Sequence, residues 1–262
     1  MNEKFVIINR NKIRYLEDGQ SDRNLILMHG LGGYAERWSN LIPLLSKKFH
    51  IFAPDLIGYG QSDKPSIDYT PELFVKFVFD FMETLGIVKT CMIGTSLGGQ
   101  IVAECAATQS PTIEKIVLIS PAGIMRKSTP TLDAYTMAAL YPTKESVKTA
   151  YQMMVGPDKQ VSEISIERFV NNMSKPNAKM VFLSTLLGLK NAPDISEKLK
   201  SINIPSLVIW GEEDNLIPFE YAQQFVSLIN DCKLIPMEGC GHSPYVEDPE
   251  KLSQLVIKFL SK

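Results

Sequence analysis

Short, almost uninterrupted apolar segments alternate with helix-like segments along most of this chain, and this pattern strongly limits the folds open to it. The apolar segments are 25–28, 51–53, 91–93, 116–119, 207–210 and 233–235. Strands that carry apolar side chains on both faces are buried on both faces, which is typical of a parallel sheet covered by helices. The sequence therefore predicts an α/β fold with a mainly parallel sheet flanked by helices.

Local signals elsewhere agree with this fold. Segments 5–8 and 13–16 flank Asn9-Arg10-Asn11 and predict a hairpin at the start of the chain. In segment 71–85 a proline stands at the first helical position, apolar residues form one stripe and Gly86 ends the pattern, as expected of an amphipathic helix. The aromatic residues of that stripe are predicted to lie in the core.

The segment 94–98, Gly-Thr-Ser-Leu-Gly, lies between the predicted strand 91–93 and a helix-forming segment that starts at Gln100. A G-x-S-x-G sequence at a strand-to-helix turn is typical of a catalytic nucleophile, because small flanking residues let the strained serine hydroxyl project from the backbone. A serine between glycines is also common in ordinary loops. Ser96 is therefore a candidate nucleophile if the chain supplies a base and an acid to activate it.

Three histidines compete for the role of the base. His50 precedes an apolar segment and is predicted to lie at an edge or in solvent, and His29 ends the strand 25–28. His242 lies in a glycine-rich loop after the strand 233–235, and loops at the carboxyl ends of strands are where open α/β sheets place reactive groups. His242 is therefore the candidate base, with a turn histidine of no catalytic role as the alternative.

Three acidic residues follow the strand 207–210 and compete for the role of the acid: Glu212, Glu213 and Asp214. A short aspartate fixed in a turn orients an imidazole better than a long, flexible glutamate does. Asp214 is therefore the candidate, although an aspartate here would also suit the N-cap of a helix predicted to begin near Phe219.

The order Ser96, Asp214, His242 is that of the α/β-hydrolases, and the chain resembles this family over nearly its whole length. The resemblance is carried by five segments in the family's order: 29–33 (HGLGG), 54–62 (PDLIGYGQS), 94–99 (GTSLGG), 211–214 (GEED) and 241–242 (GH). Each segment is weak alone, but the five in this order are highly specific.

The resemblance implies further roles. The backbone amides of Leu31 and Leu97 match the family's oxyanion hole, which stabilises the negative charge of a tetrahedral intermediate. Residues 123–201, where the alternation of strands and helices stops, match a helical cap inserted over the active site, so residues 1–122 and 202–262 would form the α/β-hydrolase core. The implied reaction is serine ester hydrolysis through an acyl-enzyme, with no metal or organic cofactor.

The proposed cap is rich in methionine and aromatic residues. Flexible thioethers and aromatic rings suit an adaptable apolar wall, although most of these residues are expected to form the core of the cap itself. The sequence therefore predicts a carboxylesterase that acts on small to medium esters with apolar acyl groups.

Two alternatives stay open. A carbon-carbon hydrolase of meta-cleavage products is similar in length and cap, and Arg168 could match the cap arginine that binds substrate carboxylate in those enzymes. Against it, those enzymes usually carry Asn before the nucleophile and Trp after the histidine, where this chain has Thr95 and Ser243. The second alternative is a non-catalytic small-molecule binding protein, since fold does not dictate activity. A haloalkane dehalogenase is excluded because its nucleophile is aspartate, and this chain has Ser96.

Composition and charge limit the kinds of molecule that this protein is expected to bind. The formal net charge of -2 and the lack of a clustered basic segment give no support for nucleic-acid binding. No segment approaches the roughly 20 apolar residues of a membrane span, and the amino terminus lacks the apolar core and cleavage site of a secretory signal, so a cytoplasmic protein is expected. The expected partner is a small-molecule ester, and a monomer and a homodimer are both compatible with the sequence.

Overall fold

An eight-stranded sheet forms the centre of the computed structural model, which describes residues 1–261. The strands are β1 (Asn2–Ile8), β2 (Asn11–Asp18), β3 (Asn24–Met28), β4 (His50–Pro54), β5 (Thr90–Thr95), β6 (Ile113–Ile119), β7 (Ser206–Gly211) and β8 (Cys232–Met237). Their spatial order is β1-β2-β4-β3-β5-β6-β7-β8. The pairs β1–β2 and β2–β4 are antiparallel, and the remaining pairs are parallel. The predicted α/β fold is confirmed.

Helices cover both faces of this sheet. They are α1 (Ile42–Leu45), α2 (Pro71–Thr84), α3 (Leu97–Ala107), α4 (Pro130–Leu140), α5 (Lys144–Met154), α6 (Glu163–Met173), α7 (Ala178–Asn191), α8 (Ser196–Lys200), α9 (Ala222–Leu228), α10 (Pro244–Glu247) and α11 (Pro249–Leu260). Alternate residues of β3 show the two layers: Ile26 and Met28 pack with α2 and α3, whereas Leu25 and Leu27 pack with α1 and α11. All four side chains are fully buried, as the unbroken apolar segment predicted.

Helices α4 to α8 lie between β6 and β7 and fall within the segment 123–201 that is predicted to form the cap. Their aromatic side chains pack together, with the ring centre of Tyr135 5.4 Å from that of Phe169 and 5.8 Å from that of Phe182. The division into a core domain and a cap domain stays a prediction. Among residues 1–261, every helix is too short or too polar to span a bilayer.

Two helices begin elsewhere than the sequence suggested. Helix α3 begins at Leu97, directly after the serine, because only Ser96 has non-helical backbone angles between β5 and the helix. The helix expected near Phe219 is a short 3-10 turn over Phe219–Tyr221 that leads into α9.

Candidate active site

Ser96 lies in a strained turn between β5 and α3. Its backbone has a φ of 52° and a ψ of -120°, a conformation that costs a non-glycine residue about 1–3 kcal/mol. The flanking glycines make the turn possible: a Cβ on Gly94 would lie 2.1 Å from the Gly98 oxygen, and a Cβ on Gly98 would lie 2.2 Å from the Met28 oxygen. The serine is therefore held where α3, β5 and the end of β3 meet.

Asp214 and His242 form a buried pair, each with about 4% of its surface exposed. The Nδ1 atom of His242 lies 2.8 Å from Oδ2 of Asp214, and Oδ1 of Asp214 accepts hydrogen bonds from the amides of Leu216 and Ile217, both at 2.9 Å. Because the carboxylate accepts at Nδ1, that nitrogen carries the ring proton and Nε2 is left free to accept one. Asp214 therefore holds its own turn and orients the imidazole, and it does not cap the following helix.

The competing acids do not share this position. Glu212 and Glu213 are exposed, whereas Asp214 is buried against the imidazole. The other histidines are also placed differently: His50 is half-buried and lies 2.7 Å from Glu17, while His29 is fully buried at the end of β3. The structure brings Asp214 and His242 together and leaves the alternatives outside this pair.

Ser96 and His242 line the same cavity, which has a volume of about 450 Å³. Among the hydrogen bonds of residues 1–261, none joins their two side chains. Bonds between a nucleophile and its base are often long without substrate and tighten when it binds. The shared cavity is therefore the observation that connects the serine to the aspartate-histidine pair.

The loop that carries His242 is anchored by Glu247, a residue that the sequence analysis did not consider. One carboxylate oxygen of Glu247 accepts from the amides of Gly156 and Gly241, both at 2.8 Å, and the other accepts from the Ser243 amide at 2.9 Å. The His242 amide in turn donates to the Met154 oxygen at 2.7 Å. The insert between β6 and β7 thus helps to hold the histidine in place.

The two residues whose amides are expected to form an oxyanion hole, Leu31 and Leu97, also line this cavity. Leu97 is the first residue of α3, where backbone amides lack partners within the helix. No hydrogen bond from either amide is found among the described residues. Both amides are therefore free to donate to a ligand.

The loop after β3 is held from both sides. The Leu56 amide donates to Nε2 of His29 at 3.0 Å, so Nδ1 of that ring carries the proton and donates to the Gly30 oxygen at 2.9 Å. From the insert, the hydroxyl of Tyr135 donates to the Leu31 oxygen at 2.7 Å. At Gly32, where φ is 68°, a Cβ would lie 2.6 Å from that hydroxyl. His29 at the end of β3 and Tyr135 in the insert therefore fix the loop that carries the Leu31 amide.

His29 gives the protein a pH-dependent stability. Burial lowers the pKa of His29 from 6.5 to about 4. Between these values the unfolded chain binds a proton that the folded chain does not, so the free energy of unfolding decreases as the pH falls through this window. A shift of this size corresponds to about 3 kcal/mol. Urea unfolding between pH 7 and pH 4.5 is expected to show a clearly smaller decrease in His29→Asn than in the wild type; equal decreases would contradict this assignment.

Apolar side chains make up most of the remaining cavity wall. Of the methionine and aromatic residues in the insert, Met125, Tyr135, Tyr151 and Met154 line the cavity. Others, such as Phe169 and Phe182, are buried away from it in the core of the insert. The lining also includes Leu132, Leu186, Leu189, Leu216 and Ile217, and the exposed cations Arg126, Lys127 and Lys190.

The arginine that the sequence singled out is not part of this wall. Arg168 is exposed on α6 and is absent from the cavity lining. Arg37, which the sequence analysis did not single out, lines the cavity instead. It stands in a 3-10 turn over Ala35–Trp38, and no local pattern distinguishes it from a surface arginine. Residues 1–261 contain no cluster of three or more His, Cys, Asp or Glu side chains arranged to hold a metal ion.

Comparisons with known proteins identify the fold family. A family model described as the alpha/beta hydrolase fold matches residues 23–249. A 2-hydroxy-6-oxo-6-(2'-aminophenyl)hexa-2,4-dienoic acid hydrolase from Metapseudomonas resinovorans is 26% identical, over 99% of this chain and 91% of its own. The human monoacylglycerol lipase ABHD6 is 24% identical, over 91% of this chain and 75% of its own.

A solved structure shows the same fold over the whole molecule. It is a serine hydrolase involved in carbazole degradation, with 25% identity and a TM-score of 0.89, and the match covers 99% of this chain and 98% of that one. The relatives thus include hydrolases with different named substrates. They support hydrolysis and leave the substrate class to be argued from the site.

Proposed function

Because the chain belongs to the alpha/beta hydrolase fold family, we propose that it is a serine carboxylic-ester hydrolase that acts through an acyl-enzyme on small to medium esters with apolar acyl groups. One observation carries the proposal: Ser96 on its strained turn and His242, which is paired with Asp214, line one largely apolar cavity of about 450 Å³. A cavity of this size and lining suits a small organic ester.

In the proposed mechanism, Nε2 of His242 takes the proton of the Ser96 hydroxyl as Oγ attacks the ester carbonyl. The amides of Leu31 and Leu97 donate to the oxyanion of the tetrahedral intermediate. His242 then gives the proton to the alkoxy oxygen, the carbon-oxygen bond breaks and the alcohol leaves. Water repeats the sequence on the acyl-enzyme and releases the acid. Asp214 stabilises the imidazolium and takes no proton itself.

The choice between ester and carbon-carbon hydrolysis rests on the groups around the nucleophile. The dienoic acid hydrolase from M. resinovorans supports the carbon-carbon alternative, and the lipase ABHD6 supports the ester. Arg168, the residue that favoured carbon-carbon hydrolysis, lies outside the cavity lining, but Arg37 lies in it, so an arginine in the cavity does not decide between the two reactions. Thr95 and Ser243 stand where the carbon-carbon hydrolases usually have Asn and Trp. We therefore favour the ester.

The test is a comparison of substrates with wild type and Ser96→Ala. A series of 4-nitrophenyl esters with increasing acyl length is measured beside a 2-hydroxy-6-oxo-dienoate. Ester turnover that depends on Ser96 and exceeds dienoate cleavage supports the proposal, and the preferred acyl length reports the depth of the cavity. Dominant dienoate cleavage contradicts it in favour of carbon-carbon hydrolysis. Tight ligand binding without turnover of either substrate contradicts it in favour of a binding protein. The cytoplasmic location and the oligomeric state stay predictions.

A further inference from the structure

Arg37 is a cationic side chain inside the fold that the proposed mechanism does not use. It lines the cavity that holds Ser96 and His242, and it also lines an adjoining cavity of about 220 Å³. Its guanidinium lies 5.6 Å from the ring centre of Tyr151 and 5.8 Å from that of Tyr245. The charge therefore lies near two aromatic rings, at the wall of the cavity that a substrate would enter.

The contacts of Arg37 do not neutralise its charge. One guanidinium nitrogen donates to Oγ of Ser243 at 3.4 Å, a long bond to an uncharged acceptor. Among residues 1–261, no carboxylate lies within 4.0 Å of this guanidinium. A guanidinium stays charged in proteins and offers five donors. Aromatic faces compensate such a charge only in part, so Arg37 retains donors and positive charge for a ligand.

Nearby acidic groups already accept hydrogen bonds or line only the smaller cavity. Asp133, which lines the larger cavity, accepts from the Ser128 hydroxyl. Glu247 shares the smaller cavity with Arg37, but its two oxygens already accept three backbone amides. Asp158 also lines the smaller cavity and does not line the larger one. By contrast, Arg14, a buried arginine, pairs with Glu3, Glu36 and Asp55. Arg37 thus differs from Arg14, since no carboxylate among residues 1–261 pairs with it.

We propose that Arg37 binds a carboxylate of the substrate, so that the enzyme prefers esters that carry a negatively charged group beside an apolar acyl chain. A guanidinium fork binds a carboxylate through two parallel hydrogen bonds, which gives both charge and orientation. The apolar wall then contacts the rest of the substrate. This inference rests on the proposed ester hydrolysis, and it names the substrate class of the same site.

The kinetic test compares anionic esters with neutral partners of matched shape. The mono-4-nitrophenyl ester of adipic acid is paired with 4-nitrophenyl hexanoate, and 4-carboxyphenyl hexanoate is paired with 4-(methoxycarbonyl)phenyl hexanoate. The first pair places the charge on the acyl side, and the second places it on the alcohol side. In Arg37→Met, kcat/KM is expected to fall at least tenfold for the anionic member of one pair and less than threefold for its neutral partner. Arg37→Lys is expected to recover part of this preference.

Arg168→Met is the matched control, because it removes the same charge from an exposed position outside the cavity. It is expected to change the ratio of anionic to neutral kcat/KM less than threefold. An equal loss on both members of each pair in Arg37→Met would reduce Arg37 to a structural role and overturn the proposal. The proposal would also be overturned if Arg168→Met, and not Arg37→Met, lost the preference for the anionic ester over its neutral partner.

A binding measurement separates this inference from the proposed reaction. Calorimetry on Ser96→Ala, which cannot turn over, compares monomethyl adipate with neutral dimethyl adipate. Tighter binding of the anion, lost in Ser96→Ala/Arg37→Met, supports the Arg37 site even if the wild type hydrolyses none of the esters. No difference between the two ligands would overturn the Arg37 site, while leaving Ser96-dependent ester hydrolysis untouched.

Discussion

Replacing Ser96 with alanine is expected to lower kcat for ester hydrolysis by a factor on the order of 10⁵ to 10⁶. Alanine retains the Cβ and removes only the hydroxyl, so His242 loses the proton that it would take and no acyl-enzyme forms. Alanine can adopt the same backbone turn as serine, with a φ of 52°. The variant is therefore expected to fold and to melt within a few degrees of the wild type.

The measurement is steady-state hydrolysis of the best 4-nitrophenyl ester, with circular dichroism melting of both proteins as the control for folding. Both proteins are purified in parallel so that a contaminating esterase is recognised. Hydrolysis at the wild-type rate by folded Ser96→Ala would contradict the assignment of the nucleophile.

Asp214→Asn is expected to lower kcat by a factor on the order of 10⁴. The asparagine oxygen can still accept the amides of Leu216 and Ile217, which leaves its NH₂ group facing Nδ1 of His242. Because that group donates, Nδ1 must accept and the ring proton moves to Nε2. An imidazole in this tautomer cannot take the proton of Ser96.

Glu213→Gln is the matched control for this change, since Glu213 is the exposed neighbour in the same turn. It removes one carboxylate charge near the site and is expected to change kcat less than threefold. Equal decreases of kcat in the two variants would show that the loss of local negative charge, and not the loss of imidazole orientation, lowers the activity. Wild-type activity in Asp214→Asn would contradict the role of Asp214.

The sheet could be predicted from the sequence because each strand carries its own local signal. The segment 25–28 is apolar at every position, and in the structure its side chains alternate between two buried layers. The position of Asp214 in its turn was also expected from local chemistry, since a short side chain can accept amides within its own turn; its catalytic role stays a prediction. Patterns within a few residues were sufficient for these features.

The remaining parts of the site depend on contacts between distant segments. Arg37 lines the cavity, and its guanidinium lies near the rings of Tyr151 and Tyr245, which are distant in sequence. Tyr135 bonds the Leu31 oxygen across 104 positions of sequence. Arg168 has the right residue type for an anion site, but its face of α6 points to solvent. Residue type alone could not show which of these three side chains lies at the site.

The most direct test of the central claim, that Ser96 is the covalent nucleophile, is mass spectrometry after treatment with diethyl 4-nitrophenyl phosphate. This reagent transfers a diethylphosphoryl group to an activated serine and releases 4-nitrophenolate. One modification per chain is expected on the peptide that contains Ser96, absent in Ser96→Ala and much slower in His242→Ala. Loss of activity with the group on another residue and Ser96 unmodified would contradict the account.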